Sequence, residues 1–210
     1  MLYQFVYHIV GPWIVRPFLG LFNRIKLSGF DRIPAEGPAV IIANHKSMWD
    51  PVILFCRVRR RIYFIGKAEL FDNWFLGFVL PRLGVFPVKR TQLDRSAIRR
   101  ASEVLDQGYI LVIFPEGTRS KTDELLPFKG GAALFAHRAG APVYPVYFDN
   151  TRKIFPHSMG QKVRVACDKP IDLTAFEGKK ANAALLEEIT DVFRRRIEEI
   201  KADVKREASV

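Results

Sequence analysis

His45 and Asp50 stand with four residues between them, directly after the apolar run Ala39-Val40-Ile41-Ile42-Ala43. A neutral imidazole can take a proton from a hydroxyl, and a nearby carboxylate can hold its tautomer and stabilise the imidazolium that forms. The pair is therefore a candidate general base with its orienting partner. The spacing also arises by chance, and taken alone a structural histidine satisfied by its neighbour explains it better. The meaning of the pair depends on the rest of the chain.

A second cluster, Phe114-Pro115-Glu116-Gly117-Thr118-Arg119-Ser120, follows another apolar run. Its turn offers a hydroxyl, a guanidinium and a second hydroxyl in succession, and Arg suits bidentate contact with a phosphate. Glu116 is placed either to orient a substrate hydroxyl or to hold Arg119. A third segment, Gly84 to Arg90, is a short apolar run ending in the cations Lys89 and Arg90. A fourth, Ala141-Pro142-Val143-Tyr144-Pro145-Val146, is apolar and suits a pocket wall more than chemistry. Metal chemistry finds no support: Cys56 and Cys167 lack ligand spacing, and so do His137 and His157 relative to His45.

The elements that must position these residues alternate. Strands are expected at 26–30, 39–43, 62–65, 85–88, 109–114, 143–148 and 162–167, and helices at 49–57, 74–80, 92–107, 130–139 and 181–206. This pattern is α/β, a central mostly parallel or mixed sheet flanked by helices. Several strands are apolar throughout, which suits burial on both faces. Leu185, Leu186, Ile189, Val192, Phe193, Ile197 and Ile200 fall at helical spacing and make the last helix a cover for the sheet. The apolar run 74–80 is read two ways, as a core helix or as a lining of an acyl route or interface.

At 210 residues the chain suits one core, expected over 26–210, with 1–25 set apart as a membrane-interface segment. In that segment Gln4, His8 and Arg16 make one polar stripe on an otherwise greasy helix, and Pro12 and Pro17 kink it. The interruptions argue against a transmembrane span and favour an apolar helix lying in the interface, with Tyr3, Tyr7 and Trp13 near the headgroups. The net charge of +11 favours an anionic partner, and eight of those charges fall within residues 1–150, where the motifs lie. The run Arg57-Val58-Arg59-Arg60-Arg61 reads as a basic patch for anionic headgroups or an acidic carrier protein. With only two cysteines, a reducing cytosolic setting fits.

Four blocks in order, His45-x4-Asp50, Gly84-x-Phe86-x-Val88-x-Arg90, Phe114-Pro115-Glu116-Gly117-Thr118-Arg119 and Val143-Tyr144-Pro145-Val146, resemble those of the glycerophospholipid acyltransferases. Within that family the chain most resembles the bacterial 1-acylglycerol-3-phosphate acyltransferases, over residues 26–148. The resemblance implies that His45 is the general base and Asp50 its charge-relay partner. It implies that Arg90, Glu116, Gly117, Thr118 and Arg119 bind the glycerol phosphate of the acceptor.

The implied reaction moves an acyl group from acyl-CoA or acyl carrier protein to the sn-2 hydroxyl of lysophosphatidic acid, with no cofactor and no metal. The implied setting is an anionic membrane surface on the cytoplasmic face, held in monotopic or peripheral fashion and without nucleic acid. A tetrahedral oxyanion in such a reaction needs donors, and the amides opening the helix after His45 are candidates. Other acceptors, glycerol 3-phosphate, another lysophospholipid or a lyso-aminolipid, remain open for the same base. A non-enzymatic basic protein binding membrane or nucleic acid accounts for the charge and leaves the two motifs unexplained.

Overall fold

The computed structural model describes residues 23–89, 94–154 and 162–209, with Trp13, Pro17, Gly20 and Leu21 before them. The interface helix expected over the first 25 residues lies, for all but its last few, outside the described residues, as does Arg90.

Seven strands, β1 (Arg24–Ser28), β2 (Ala39–Ala43), β3 (Ile62–Lys67), β4 (Val85–Val88), β5 (Ile110–Ile113), β6 (Val143–Asp149) and β7 (Lys162–Cys167), form one sheet ordered β1-β7-β6-β2-β5-β3-β4. All neighbours run parallel except the antiparallel pair β6 and β7. The helices are α1 (Trp49–Arg57), α2 (Trp74–Arg82), α3 (Arg95–Asp106), α4 (Gly131–Ala139) and α5 (Ala183–Ser209). The α/β reading holds, with a mixed sheet.

The continuous apolar runs have the expected cause. Every residue of β2 and of β5 is buried, because both faces of the central sheet are covered. Side chains alternate between two cores: Val40 and Ile42 join the one roofed by α3, α4 and α5, while Ala39, Ile41 and Ala43 join the one roofed by α1. The long helix α5 buries Leu185, Ile189, Phe193, Ile197, Ile200 and Val204 at intervals of three and four, the stripe expected of a sheet cover.

Two boundaries differ from expectation for a plain local reason, and one helix differs in its burial. The first strand ends at Ser28 because Gly29 turns into the left-handed region (φ 73°), where a Cβ would lie 1.9 Å from the Cys167 carbonyl oxygen. The helix expected from 92 begins at Arg95, since Asp94 caps it, accepting at Oδ1 from the amides of Ser96 (3.0 Å) and Ala97 (3.1 Å). The helix α2 buries no residue, which overturns its reading as a core helix. Among the described residues no helix is long and apolar enough to cross a membrane.

Candidate active site

In a parallel sheet the carboxyl ends of the strands share one edge, where α/β folds bind their ligands. Here β2 runs out into Asn44 and His45, β5 into Phe114 to Arg119, and β3 and β4 end at Lys67 and Val88. Fully buried Asn44 locks that edge, donating to the Phe148 carbonyl (3.1 Å) and accepting from its amide (2.7 Å).

Nδ1 of His45 lies 2.8 Å from Oδ2 of Asp50, which opens α1. The same oxygen accepts from the amides of Lys46 (2.7 Å) and Ser47 (2.8 Å). Asp50 is fully buried, and its other oxygen, Oδ1, has no hydrogen-bond partner among the described residues. The carboxylate is thus held by the backbone it follows, and it holds the imidazole in turn. The ring stacks on Phe114 (centroids 4.2 Å apart, 22° between planes). With Nδ1 on the carboxylate, Nε2 is the nitrogen free for chemistry.

The amides of Lys46 and Ser47, which precede α1, are taken up by Oδ2, and the Trp49 amide donates to Ser47 Oγ (3.3 Å).

Glu116 is buried beside the pair. Its Oε1 accepts from the His45 amide (2.8 Å) and its Oε2 from the Leu126 amide (3.1 Å), so it braces two stretches of main chain and makes no bond to Arg119. Burial raises its pKa above the ordinary value of 4.5, against the pull of those two amides. The His45 carbonyl accepts from Ser120 N (2.7 Å), closing a second tie between the motifs. Between these ties Gly117 takes φ 67°, and a Cβ there would press the Lys129 side chain at 3.2 Å. Thr118 and Arg119 point outward from the braced turn, exposed, with no bond or ion pair for either side chain among the described residues.

His45 and Gly117 line a cavity of about 500 Å³, within the ordinary range for ligand pockets. Its walls are apolar, formed by residues such as Phe64, Ile65, Val85, Ile113, Leu134 and Phe135, and Lys67, Lys89 and Lys129 also face it. Lys129 escaped the sequence reading because a lysine in a loop carries no signal of where the loop returns. The fourth block does not form this wall: Val143 to Val146 are buried in the sheet, paired with β2.

Lys46 also escaped it. Its buried ammonium donates to Asp123 Oδ1 (3.2 Å) and to the Tyr147 hydroxyl (3.3 Å). Burial lowers its pKa, opposed by Asp123. Burial works to raise the Asp123 carboxyl, but Lys46, with Lys205 and Arg152, holds it below the usual range. The basic run 57–61 proves to sit elsewhere. Arg60 donates to the carbonyls of Pro34 (2.7 Å), Gly37 (2.5 Å) and Gly108 (2.6 Å), and Arg61 lies over the rings of Tyr63 and Tyr109, at the opposite edge of the sheet from His45.

Residues 24–149 match the family model described as Acyltransferase. The chain is 33% identical over 160 residues to the chloroplastic 1-acyl-sn-glycerol-3-phosphate acyltransferase BAT2 of Brassica napus, covering 71% of this chain and 46% of that protein. It is 27% identical over 194 residues to the 1-acyl-sn-glycerol-3-phosphate acyltransferase of Bacillus subtilis, covering 89% of this chain and 93% of that one. Among solved structures it is similar to the 1-acyl-sn-glycerophosphate (LPA) acyltransferase PlsC from Thermotoga maritima. That likeness has TM-score 0.70 and 27% identity, over 95% of this chain and 82% of that one. The chain thus spans less than half of the plant relative and nearly all of the Bacillus one.

Proposed function

The chain belongs to the acyltransferase family, and from that membership we propose that it moves a fatty acyl group from an acyl thioester to the free sn-2 hydroxyl of lysophosphatidic acid, making phosphatidic acid. The observation that carries the reading is the 2.8 Å contact of His45 with Asp50 at the mouth of an apolar cavity faced by three lysines.

A hydroxyl is a poor nucleophile at neutral pH, so a base must meet it. Nε2 of His45 takes its proton as the oxygen attacks the thioester carbonyl, and Asp50 stabilises the imidazolium. Collapse of the tetrahedral adduct breaks the C–S bond, and His45 returns the proton to the leaving thiolate. Thr118 and Arg119, with Arg90, hold the acceptor phosphate and so fix the hydroxyl's approach. Glu116 and Gly117 serve that site indirectly, by shaping the turn that presents Arg119. The donor, acyl-CoA or acyl carrier protein, brings its own activated carbonyl, so the chemistry calls for no resident cofactor or metal. Both substrates are amphipathic or carry a long chain, which places the enzyme on one leaflet of a membrane as a peripheral or monotopic protein. Cys56 and Cys167 are thiols rather than a disulfide, which suits the cytoplasmic face.

The test is purified protein with lysophosphatidic acid, glycerol 3-phosphate, a second lysophospholipid and a lyso-aminolipid, each with both donors. Turnover should be highest with lysophosphatidic acid and disappear in His45→Ala at an unchanged melting temperature. Retained turnover in that variant would remove the base from the mechanism, and equal use of an acceptor without phosphate would remove the phosphate site.

A further inference from the structure

The helix α2 (Trp74–Arg82) departs from the rest of the fold. Trp74 is 82% exposed, Phe75 55% and Phe78 54%, and Leu70 of the preceding turn is 43% exposed. Single exposed hydrophobics are ordinary, but a cluster of large ones marks a contact surface. Nothing about the helix is frayed. Asn73 caps it, accepting from the amides of Phe75 and Leu76 at 3.1 Å each. Gly77 presses so closely on the turn Ala68–Phe71 that a Cβ would lie 2.7 Å from the Phe71 carbonyl oxygen. The helix is thus clamped on its inner side at the one position lacking a side chain, and its aromatics are held outward.

Its surroundings indicate what meets that face. Leu70 and Leu80 also line the His45 cavity, so the patch runs into the cavity wall without a break. The helix carries no acid, and its one charged residue, Arg82, donates to the Phe78 carbonyl (2.6 Å) with its guanidinium 3.6 Å over the Phe78 ring. Of the nearby cations, Lys67 is paired with Glu69 at 3.1 Å, and Lys89 lies on the cavity. The charges around it balance, Lys67 and Arg82 against Glu69 and Asp72, so an aromatic, apolar face that opens into an apolar cavity fits the acyl region of a phospholipid leaflet, which supplies acyl chains and a long-chain substrate in one place.

We propose that the outward face of α2, formed by Trp74, Phe75 and Phe78, inserts into the leaflet and seats the cavity mouth against it. The identity of what then enters the cavity rests on the acyltransferase reading; the docking itself does not.

The experiment uses the full chain and the double variant Trp74→Ser/Phe78→Ser. Cosedimentation is measured with vesicles of phosphatidylcholine alone and of phosphatidylcholine with phosphatidylglycerol. Turnover is measured on lysophosphatidic acid carried in those vesicles and on a short-chain, water-soluble acceptor and donor. The variant should bind both vesicles about tenfold or more weakly, since each large apolar side chain contributes on that order. It should lose vesicle-borne turnover in proportion and keep both its melting temperature and its turnover of soluble substrates. Unchanged vesicle binding would overturn the proposal. So would loss of self-association in the variant, which would show a second copy covering the face, or equal loss of soluble turnover, which would make α2 part of the reaction site. If the unaltered chain turned over neither acceptor, the acyltransferase reading would fall, and cosedimentation would still decide the role of α2.

Discussion

The backbone N–H of His45 donates to Oε1 of Glu116 at 2.8 Å, across 71 positions of sequence. The base and the anion-binding turn are therefore parts of one structure: moving either main chain moves the other. This gives Glu116 a role distinct from contact with substrate, and a distinct signature when it is changed.

Glu116→Ala leaves two largely buried amides, of His45 and Leu126, without acceptors. At about 1–3 kcal/mol for each, the loss of stability should be about 2–6 kcal/mol, with kcat falling and the donor KM unchanged. The pH dependence has a definite sign. The folded pKa of Glu116 lies above the unfolded value of 4.5, so the folded state holds the proton longer. Its contribution is fully present below 4.5 and declines as pH rises through the folded pKa. Denaturant midpoints against pH should show this decline in the unaltered protein and lack it in Glu116→Gln.

Asp50 permits charge and geometry to be separated. Among the described residues all three of its donors, His45 Nδ1 and the amides of Lys46 and Ser47, converge on Oδ2, while Oδ1 is unpartnered. In Asp50→Asn the amide oxygen can take the place of Oδ2 and preserve every bond, so the imidazole keeps its tautomer and loses only a charge. Turnover should fall roughly 10- to 100-fold, the difference between a charge-assisted and a neutral hydrogen bond. Asp50→Ala also strands the two amides, and should lower stability by a further ~2–4 kcal/mol on a denaturation curve. Equal stability of the two variants would contradict this division.

Lys46 sits one residue from the base, and its burial lowers its pKa. Between that lowered pKa and the unfolded 10.5, stability should rise with pH, because the unfolded chain alone still binds the proton. Lys46→Met removes a buried charge and should hold stability within about 1 kcal/mol or raise it. It also removes one of the three cations that, among the described residues, hold Asp123, in the loop that continues from Arg119. The acceptor KM should therefore rise about three- to tenfold with the donor KM fixed, an opposite movement of stability and function that steady-state kinetics and calorimetry can read.

Most of the fold was legible because the central strands are buried on both faces. Ala39 to Ala43 and Ile110 to Ile113 have no polar residue to obscure them, and the stripe from Leu185 to Ile200 has a helical period. His45 and Asp50 were legible because one turn of chain brings them together. What escaped depends on distance along the chain: Lys46 meets Asp123 77 positions away, and Glu116 finds backbone amides, which carry no side-chain signal. The helix α2 escaped for another reason. Its first eight residues are all apolar or glycine, so no polar face distinguishes burial in a core from insertion in a leaflet, and only its exposed aromatics decide.

Arg119 provides the sharpest test of the phosphate site, because its loss should change little else. Its side chain is exposed and makes no bond or ion pair among the described residues, so Arg119→Ala breaks no structural tie and should leave the melting temperature in place. A guanidinium contact with a phosphate contributes about 1.5–3 kcal/mol, so the acceptor KM should rise roughly 10- to 100-fold. Arg119→Lys should recover part of that, since it restores the charge without the bidentate fork. The donor KM should stay constant throughout the series. A rise confined to the donor would mean that the turn after β5 holds the thioester's carrier, and would move the acceptor phosphate to the cavity lysines Lys67, Lys89 and Lys129.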